Sequence, residues 1–166
     1  MYKRQGNVST HGYSELLFSH FDTDKFEVVL NRLIQRHGAL RTIFKNEKQY
    51  ILSGVPYYRV THYGTIDQSR LEAIRSRLSH KMYAADKWPL FDYEVSIFEA
   101  YTILHTSFDA LIMDGTSMGI FFNELTLLYN AKNIDEVVLP GLKINFRDYI
   151  LPVSYTHLRA HETSQD

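Results

Sequence analysis

Two carboxylates stand close together in Asp109-Ala110-Leu111-Ile112-Met113-Asp114-Gly115-Thr116-Ser117, the stretch of this chain best suited to chemistry. It joins an apolar, strand-like run (Tyr101 to Phe108) to an amphipathic, helix-like run (Met118 to Tyr129). A strand-to-helix junction brings polar side chains beside a helix N-terminus, whose free N–H groups favour anions. Carboxylates held there can pass protons in acid–base chemistry. The same residues also suit local structure, because Asp114 or Thr116 can cap the helix and Gly115 can supply a tight turn. Local pattern leaves both readings open.

The elements that would position this stretch follow from periodicity. His11 to Phe21 is rich in aromatic and apolar side chains and predicts a strand. Asp24 and Glu27 form a capping-box pattern before Phe26, Val29, Leu30, Leu33 and Ile34 recur at helical spacing, and Gly38 stops the helix. Arg41 to Lys45 and Gln49 to Leu52 flank the polar turn Asn46-Glu47-Lys48 and predict a hairpin, with a further strand over Tyr57 to His62. Ile66 to Tyr83 carries Leu71, Ile74, Leu78 and Met82 on one stripe of a more polar helix covering a sheet. Trp88-Pro89-Leu90-Phe91 makes an apolar corner, and Tyr93 to Phe98 with Tyr101 to Phe108 predicts a second hairpin. Hairpins mixed with crossovers define an α+β class around a mixed or antiparallel sheet.

Composition narrows the functional classes. At 166 residues the chain suits one domain or one lobe of a larger one. A net charge of −1 gives no basic field for nucleic acid. No cysteine is present, which removes thiolate chemistry and a disulfide framework and fits a cytoplasmic setting. No run reaches the roughly 18 apolar residues of a membrane helix. The eight histidines form no cluster at zinc-ligand spacing, so no metal site is expected.

Three segments in register resemble the condensation-domain superfamily of nonribosomal peptide synthetases, and within it the heterocyclization domains. Arg36-His37-Gly38-Ala39-Leu40-Arg41-Thr42-Ile43-Phe44 is similar to the family's RHxxLRTxF segment. Asp109, Asp114 and Ser117 match DxxxxDxxS, which heterocyclization domains carry where ordinary condensation domains have HHxxxDG. Leu139-Pro140-Gly141-Leu142 followed by Phe146-Arg147-Asp148-Tyr149 resembles the LPxL and FRDY region. Leu78-Ser79-His80 and Trp88-Pro89-Leu90-Phe91-Asp92 add smaller agreements. The resemblance covers Tyr13 to Leu151 and implies a lobe like that of chloramphenicol acetyltransferase, two of which enclose a tunnel. On this resemblance the chain is expected to be the first lobe, truncated before the family's opening segment and after this lobe.

The resemblance also implies a chemistry. Asp109 falls on the first His of HHxxxDG and Ala110 on the second, which presents the attacking amine in ordinary condensation domains. The heterocyclizing branch joins an acyl or peptidyl thioester to a carrier-bound cysteine, serine or threonine, then closes the side chain onto the new amide and expels water, giving thiazoline or oxazoline. No cofactor is bound directly; phosphopantetheine thioesters arrive on upstream and downstream carrier domains, beside an adenylation domain of the same synthetase. Asp109 and Asp114 are the catalytic candidates. Asp114 also matches an Asp that the family pairs structurally with the second Arg of RHxxLR, here Arg41. Ser117 is expected to stabilise the first helical turn, Gly115 to keep the backbone slim beside the tunnel, and Arg36 and His37 to act structurally. His105 reads as a satisfied core histidine. The isolated lobe is expected to be inactive; the alternatives are a silent lobe that docks carrier proteins, or an ordinary amide-forming domain.

Both ends resemble translated sequencing adapter. Val153 to Thr163 matches one frame of a transposase adapter, and Tyr2-Lys3-Arg4-Gln5 matches its reverse complement. Residues 1–5 and 152–166 are therefore expected to be adapter-derived and poorly packed, with the lobe at 6–151.

Overall fold

The computed structural model describes residues 10–142. The expectations for both ends, and for the Phe146 to Tyr149 segment, lie outside them. Nine regular elements follow in order: β1 (His11–Phe18), α1 (Thr23–Arg36), β2 (Thr42–Lys45), β3 (Lys48–Ile51), β4 (Thr61–Thr65), α2 (Gln68–Ser79), β5 (Phe91–Ile97), β6 (Thr102–Asp109) and α3 (Gly115–Asn130). Four strands form one sheet in the order β1-β6-β5-β4, and β2 with β3 forms a separate hairpin. Only β4 runs parallel to its neighbour, so the sheet is mixed, as the α+β expectation requires.

Side-chain alternation gives this sheet two unlike faces. One face carries Phe91, Tyr93, Val95, Leu104 and Phe108 against Phe26, Val29, Leu30, Leu33 and Ile34 of α1 and Phe121, Leu125 and Leu128 of α3, all within one buried cluster. Burying each such aliphatic or aromatic side chain contributes roughly 1.5–3 kcal/mol, so this layer is the main source of stability. Gly12 lies opposite Phe108. A Cβ there would stand 2.5 Å from the ring tip, so the absence of a side chain lets that ring lie flat on β1. The opposite face presents Tyr13, Glu15, Asp92, Glu94, Ser96, His105 and Ser107 towards α2.

Several boundaries differ from those read in the sequence: β1 stops at Phe18, α2 starts at Gln68 and α3 at Gly115, and three further differences have a visible outcome or cause. Asp22, not Asp24, caps α1 by accepting from the Lys25 N–H at 2.9 Å, and Glu27 turns away to the Val60 N–H and Arg59. The strand expected at Tyr57 begins only at Thr61, because Asn31 takes both main-chain groups of Tyr58: its Oδ1 accepts from the N–H at 2.7 Å and its Nδ2 donates to the carbonyl at 2.8 Å. α2 ends at Ser79, which leaves Met82 off the buried stripe and 64% exposed. Among the described residues no helix is long and apolar enough to cross a membrane.

Candidate functional site

The motif stretch is held from both sides by main-chain bonds. The Asp109 N–H donates to the Leu90 carbonyl at 2.9 Å, and the Ala110 N–H donates to the Thr10 carbonyl at 2.9 Å. The apolar corner after Trp88 and the start of β1 thus fix where β6 releases the chain. Trp88 is itself anchored through its indole N–H to the Leu40 carbonyl at 2.9 Å. Asp109 is buried, and its Oδ1 accepts from the Leu111 N–H at 2.9 Å while its carbonyl accepts from the Ile112 N–H at 3.1 Å. These bonds make a compact Asx-type turn that satisfies the chain as it leaves the sheet. Ile112 and Met113 drop into the core, whereas Leu111 is left exposed.

Asp114 sits one step further on, exposed, as the N-cap of α3. Its Oδ1 accepts from the Ser117 N–H at 2.8 Å. That hydrogen bond is the first cause holding its carboxyl below the usual range, so Asp114 is ionised at neutral pH. An ionised cap favours the positive end of α3 and makes a poor proton donor. Gly115 has open space where a Cβ would be, with no atom of the described chain within 4 Å. Among the described residues nothing crowds this position, so space for a side chain is open on this side of the chain.

The expected pair between Asp114 and Arg41 is not formed, and this is a correction. Arg41 spends its guanidinium on carbonyls: Nε on Ile34 at 3.0 Å, Nη2 on Gln35 at 3.3 Å, and Nη1 on Leu52. It closes the C-terminus of α1, where unpaired carbonyls and the helix dipole favour a cation, and ties it to the end of β3. Asp114 belongs to the far end of the motif and has its own partner in the helix it starts.

The other two motif residues do meet a carboxylate, one the sequence reading did not single out. Arg36 grips Glu124 of α3 through Nε to Oε2 at 3.0 Å and Nη2 to Oε1 at 2.9 Å, and His37 Nε2 lies 2.6 Å from the same Oε2. Arg36 also donates to the Pro140 carbonyl. Burial alone would raise the Glu124 carboxyl, but the hydrogen bonds from Arg36 and His37 outweigh it and hold it low. The cluster locks the C-terminal end of α1 to the middle of α3, the helix that Asp114 caps. One signal could have found it: Glu124 is the only charged residue between Gly115 and Asn130, and it sits on the stripe of Phe121, Leu125 and Leu128.

The structure therefore brings Asp109, Asp114, Gly115 and Ser117 together at the junction of β6 with α3, and ties Arg36 and His37, at the C-terminal end of α1, to that helix through Glu124. Arg41 also lies past the end of α1 but bonds carbonyls of Ile34, Gln35 and Leu52 instead. Among the described residues no group of three or more His, Asp or Glu is arranged to hold a metal ion.

The condensation-domain family matches residues 7–164, a range that continues past Leu151 into the tail. Pyochelin synthetase PchF of Pseudomonas aeruginosa is 31% identical over 139 residues, covering 78% of this chain and 8% of that protein. Bacitracin synthase 3 of Bacillus licheniformis is 34% identical over 137 residues, covering 78% of this chain and 2% of that protein. A crystal structure of the EpoB NRPS cyclization-docking bidomain from Sorangium cellulosum superposes with a TM-score of 0.78 at 25% identity, covering 89% of this chain and 31% of that one. The chain thus spans less than a tenth of these curated relatives and about a third of the EpoB chain. The matched range and the shared lobe together show that the chain belongs to the condensation-domain family of nonribosomal peptide synthetases.

Proposed function

We propose that this chain is the N-terminal lobe of a heterocyclization domain, which condenses an acyl or peptidyl thioester with carrier-bound Cys, Ser or Thr and then removes water to close a thiazoline or oxazoline ring. The observation that carries this reading is Ala110. It stands where amide-forming members place the second histidine of HHxxxDG, and a methyl group neither accepts nor positions a proton. Asp109, Asp114 and Ser117 at the spacing of the heterocyclizing branch support it, as does likeness to a cyclization-docking bidomain.

Within that reading the geometry supports the following roles. Asp114 and Ser117 build the first turn of α3 and fix its N-terminus, which the family resemblance would set beside the tunnel. Asp109 shapes the turn and presents its buried carboxylate at the end of β6, where it can orient an incoming amine through a hydrogen bond. The acid that releases water must come from elsewhere, since Asp114 is ionised and Asp109 is engaged in its own turn. The C-terminal lobe is the natural source, so this lobe alone is expected not to turn over. Phosphopantetheine arms of upstream and downstream carrier domains would bring both substrates, with an adenylation domain loading one of them.

The test joins this lobe to a C-terminal lobe of a heterocyclization domain and supplies an acyl-loaded carrier and a cysteinyl-loaded carrier. The expected product is the amide lighter by one water. An amide that keeps its water would identify an ordinary condensation domain, and no product with both carriers loaded would favour a silent docking lobe.

A further inference from the structure

The polar face of the sheet is closed by α2, and the closure is built differently from that of the apolar face. Leu71, Ile74 and Leu78 of α2 are buried with Ile103 of β6, yet none of the four belongs to the large cluster that unites α1, α3 and the other sheet face. Around that small apolar patch the contacts are ionic. Arg75 grips Glu15 of β1 with Nε at 2.7 Å and Nη2 at 2.8 Å. Arg77 grips Glu94 of β5 through both terminal nitrogens, with Nη1 at 3.0 Å. Lys81, just past the helix, pairs with Asp92 of β5. In each pair the carboxylate is the more buried partner and the cation keeps one side in water.

Beneath these latches lies a sealed relay. Tyr13 donates its one proton to Glu15 at 2.6 Å, so His105 must donate from Nδ1 to the Tyr13 oxygen at 2.9 Å. Its Nε2 then accepts from Ser96 Oγ at 2.8 Å. His105 and Ser96 are completely buried. The charged and titratable groups around them come from every neighbour: Tyr13 and Glu15 on β1, Glu94 on β5, Tyr63 on β4, Arg75 and Arg77 on α2. Water can replace such polar contacts one for one if the cover lifts, which it cannot do on the apolar face.

We propose that α2 is an electrostatically latched cover that opens as a unit, exposing Tyr13, Glu15, Ser96 and His105 while the layer of α1 and α3 stays closed. The apolar burial the opening gives up is the small patch of Leu71, Ile74, Leu78 and Ile103, and polar surface on both sides rehydrates. Local opening of this kind draws on the low-stability end of a fold.

Amide hydrogen exchange, read by mass spectrometry on the whole chain, tests this. Raising salt from about 0.1 M to about 1 M shortens the screening length from roughly 10 Å to roughly 3 Å and should speed exchange across Leu71–Ser79 at least threefold, with Val29–Ile34 and Phe121–Leu128 nearly unchanged. Diethyl pyrocarbonate gives an independent reading, because modification of His105 should rise with salt while that of exposed His62 stays level. An Arg75→Gln, Arg77→Gln double variant should show fast α2 exchange at both salt levels. Salt-independent α2 exchange, or α2 losing protection only together with α1 and α3, would overturn the proposal; the wild-type titration decides even if the variant fails to fold.

Discussion

The two faces of one sheet are sealed by opposite means. Towards α1 and α3 the sheet offers Phe91, Tyr93, Val95, Leu104 and Phe108, and closure comes from apolar burial that water cannot imitate. Towards α2 it offers Glu15, Asp92, Glu94, Ser96, His105 and Ser107, and closure comes from guanidinium pairs and a hydrogen-bonded relay. The motif stretch leaves the sheet between them: Ile112 and Met113 go to the apolar side, and Asp109 ends the β6 stripe that begins with His105 and Ser107. A turn anchored in the rigid layer keeps its shape whatever the polar cover does.

Matched truncations should break the comparison most. Leu33→Ala, in the last turn of α1, should cost about 2–5 kcal/mol of global stability, because the side chain is fully buried in the large apolar cluster and its loss leaves a cavity. Ile74→Ala removes a similar volume from the patch under α2 and should cost about 2 kcal/mol, at the low end of that range. Urea unfolding gives both values, and hydrogen exchange shows where each acts. The comparison fails if Ile74→Ala destabilises α1 and α3 as much as Leu33→Ala does.

Acid should weaken the polar face in two steps. Burial lowers the pKa of His105, so the unfolded chain takes up a proton near pH 6.5 that the folded chain refuses. Stability is therefore intact above that value and falls as pH drops towards the lower folded-state pKa. Glu15 adds a second loss: the Arg75 hydrogen bonds hold its carboxyl down to about 2 from 4.5, so its contribution is present above 4.5 and disappears as pH falls towards 2. Urea midpoints of wild type and His105→Gln, compared from about pH 7.5 to about pH 5.5, should converge as pH falls. A gap that stays constant would mean that His105 carries no titration-linked stability.

The sequence read elements better than partners, and for a physical reason. Apolar period fixed the hairpins, α1, α3 and the stripe Leu71, Ile74, Leu78, because burial acts on residue type and spacing alone. The motif residues were legible as a family mark in the same way. Which charge meets which depends on the folded geometry: Arg41 turned to carbonyls at the end of α1, while Glu124 drew in Arg36 and His37. Boundaries slipped where a side chain competed for main-chain groups, as Asn31 does at Tyr58.

The hairpin of β2 and β3 belongs to neither face and supplies the smallest test. Its two-residue turn has φ of 51° at Asn46 and 61° at Glu47, the left-handed pair that matches the twist of a tight hairpin. Asn tolerates that region, but a Glu Cβ crowds the following carbonyl at a cost of roughly 1–2 kcal/mol, part of which glycine gives back as unfolded-chain entropy. Glu47→Gly should therefore raise stability by about 0.5–1 kcal/mol, read as a higher urea midpoint. Because the turn touches neither layer, α2 exchange and its salt response should be unchanged. A Glu47→Gly chain whose α2 opened differently would mean that the hairpin reports on the polar face, and the division into two independently sealed faces would have to be redrawn.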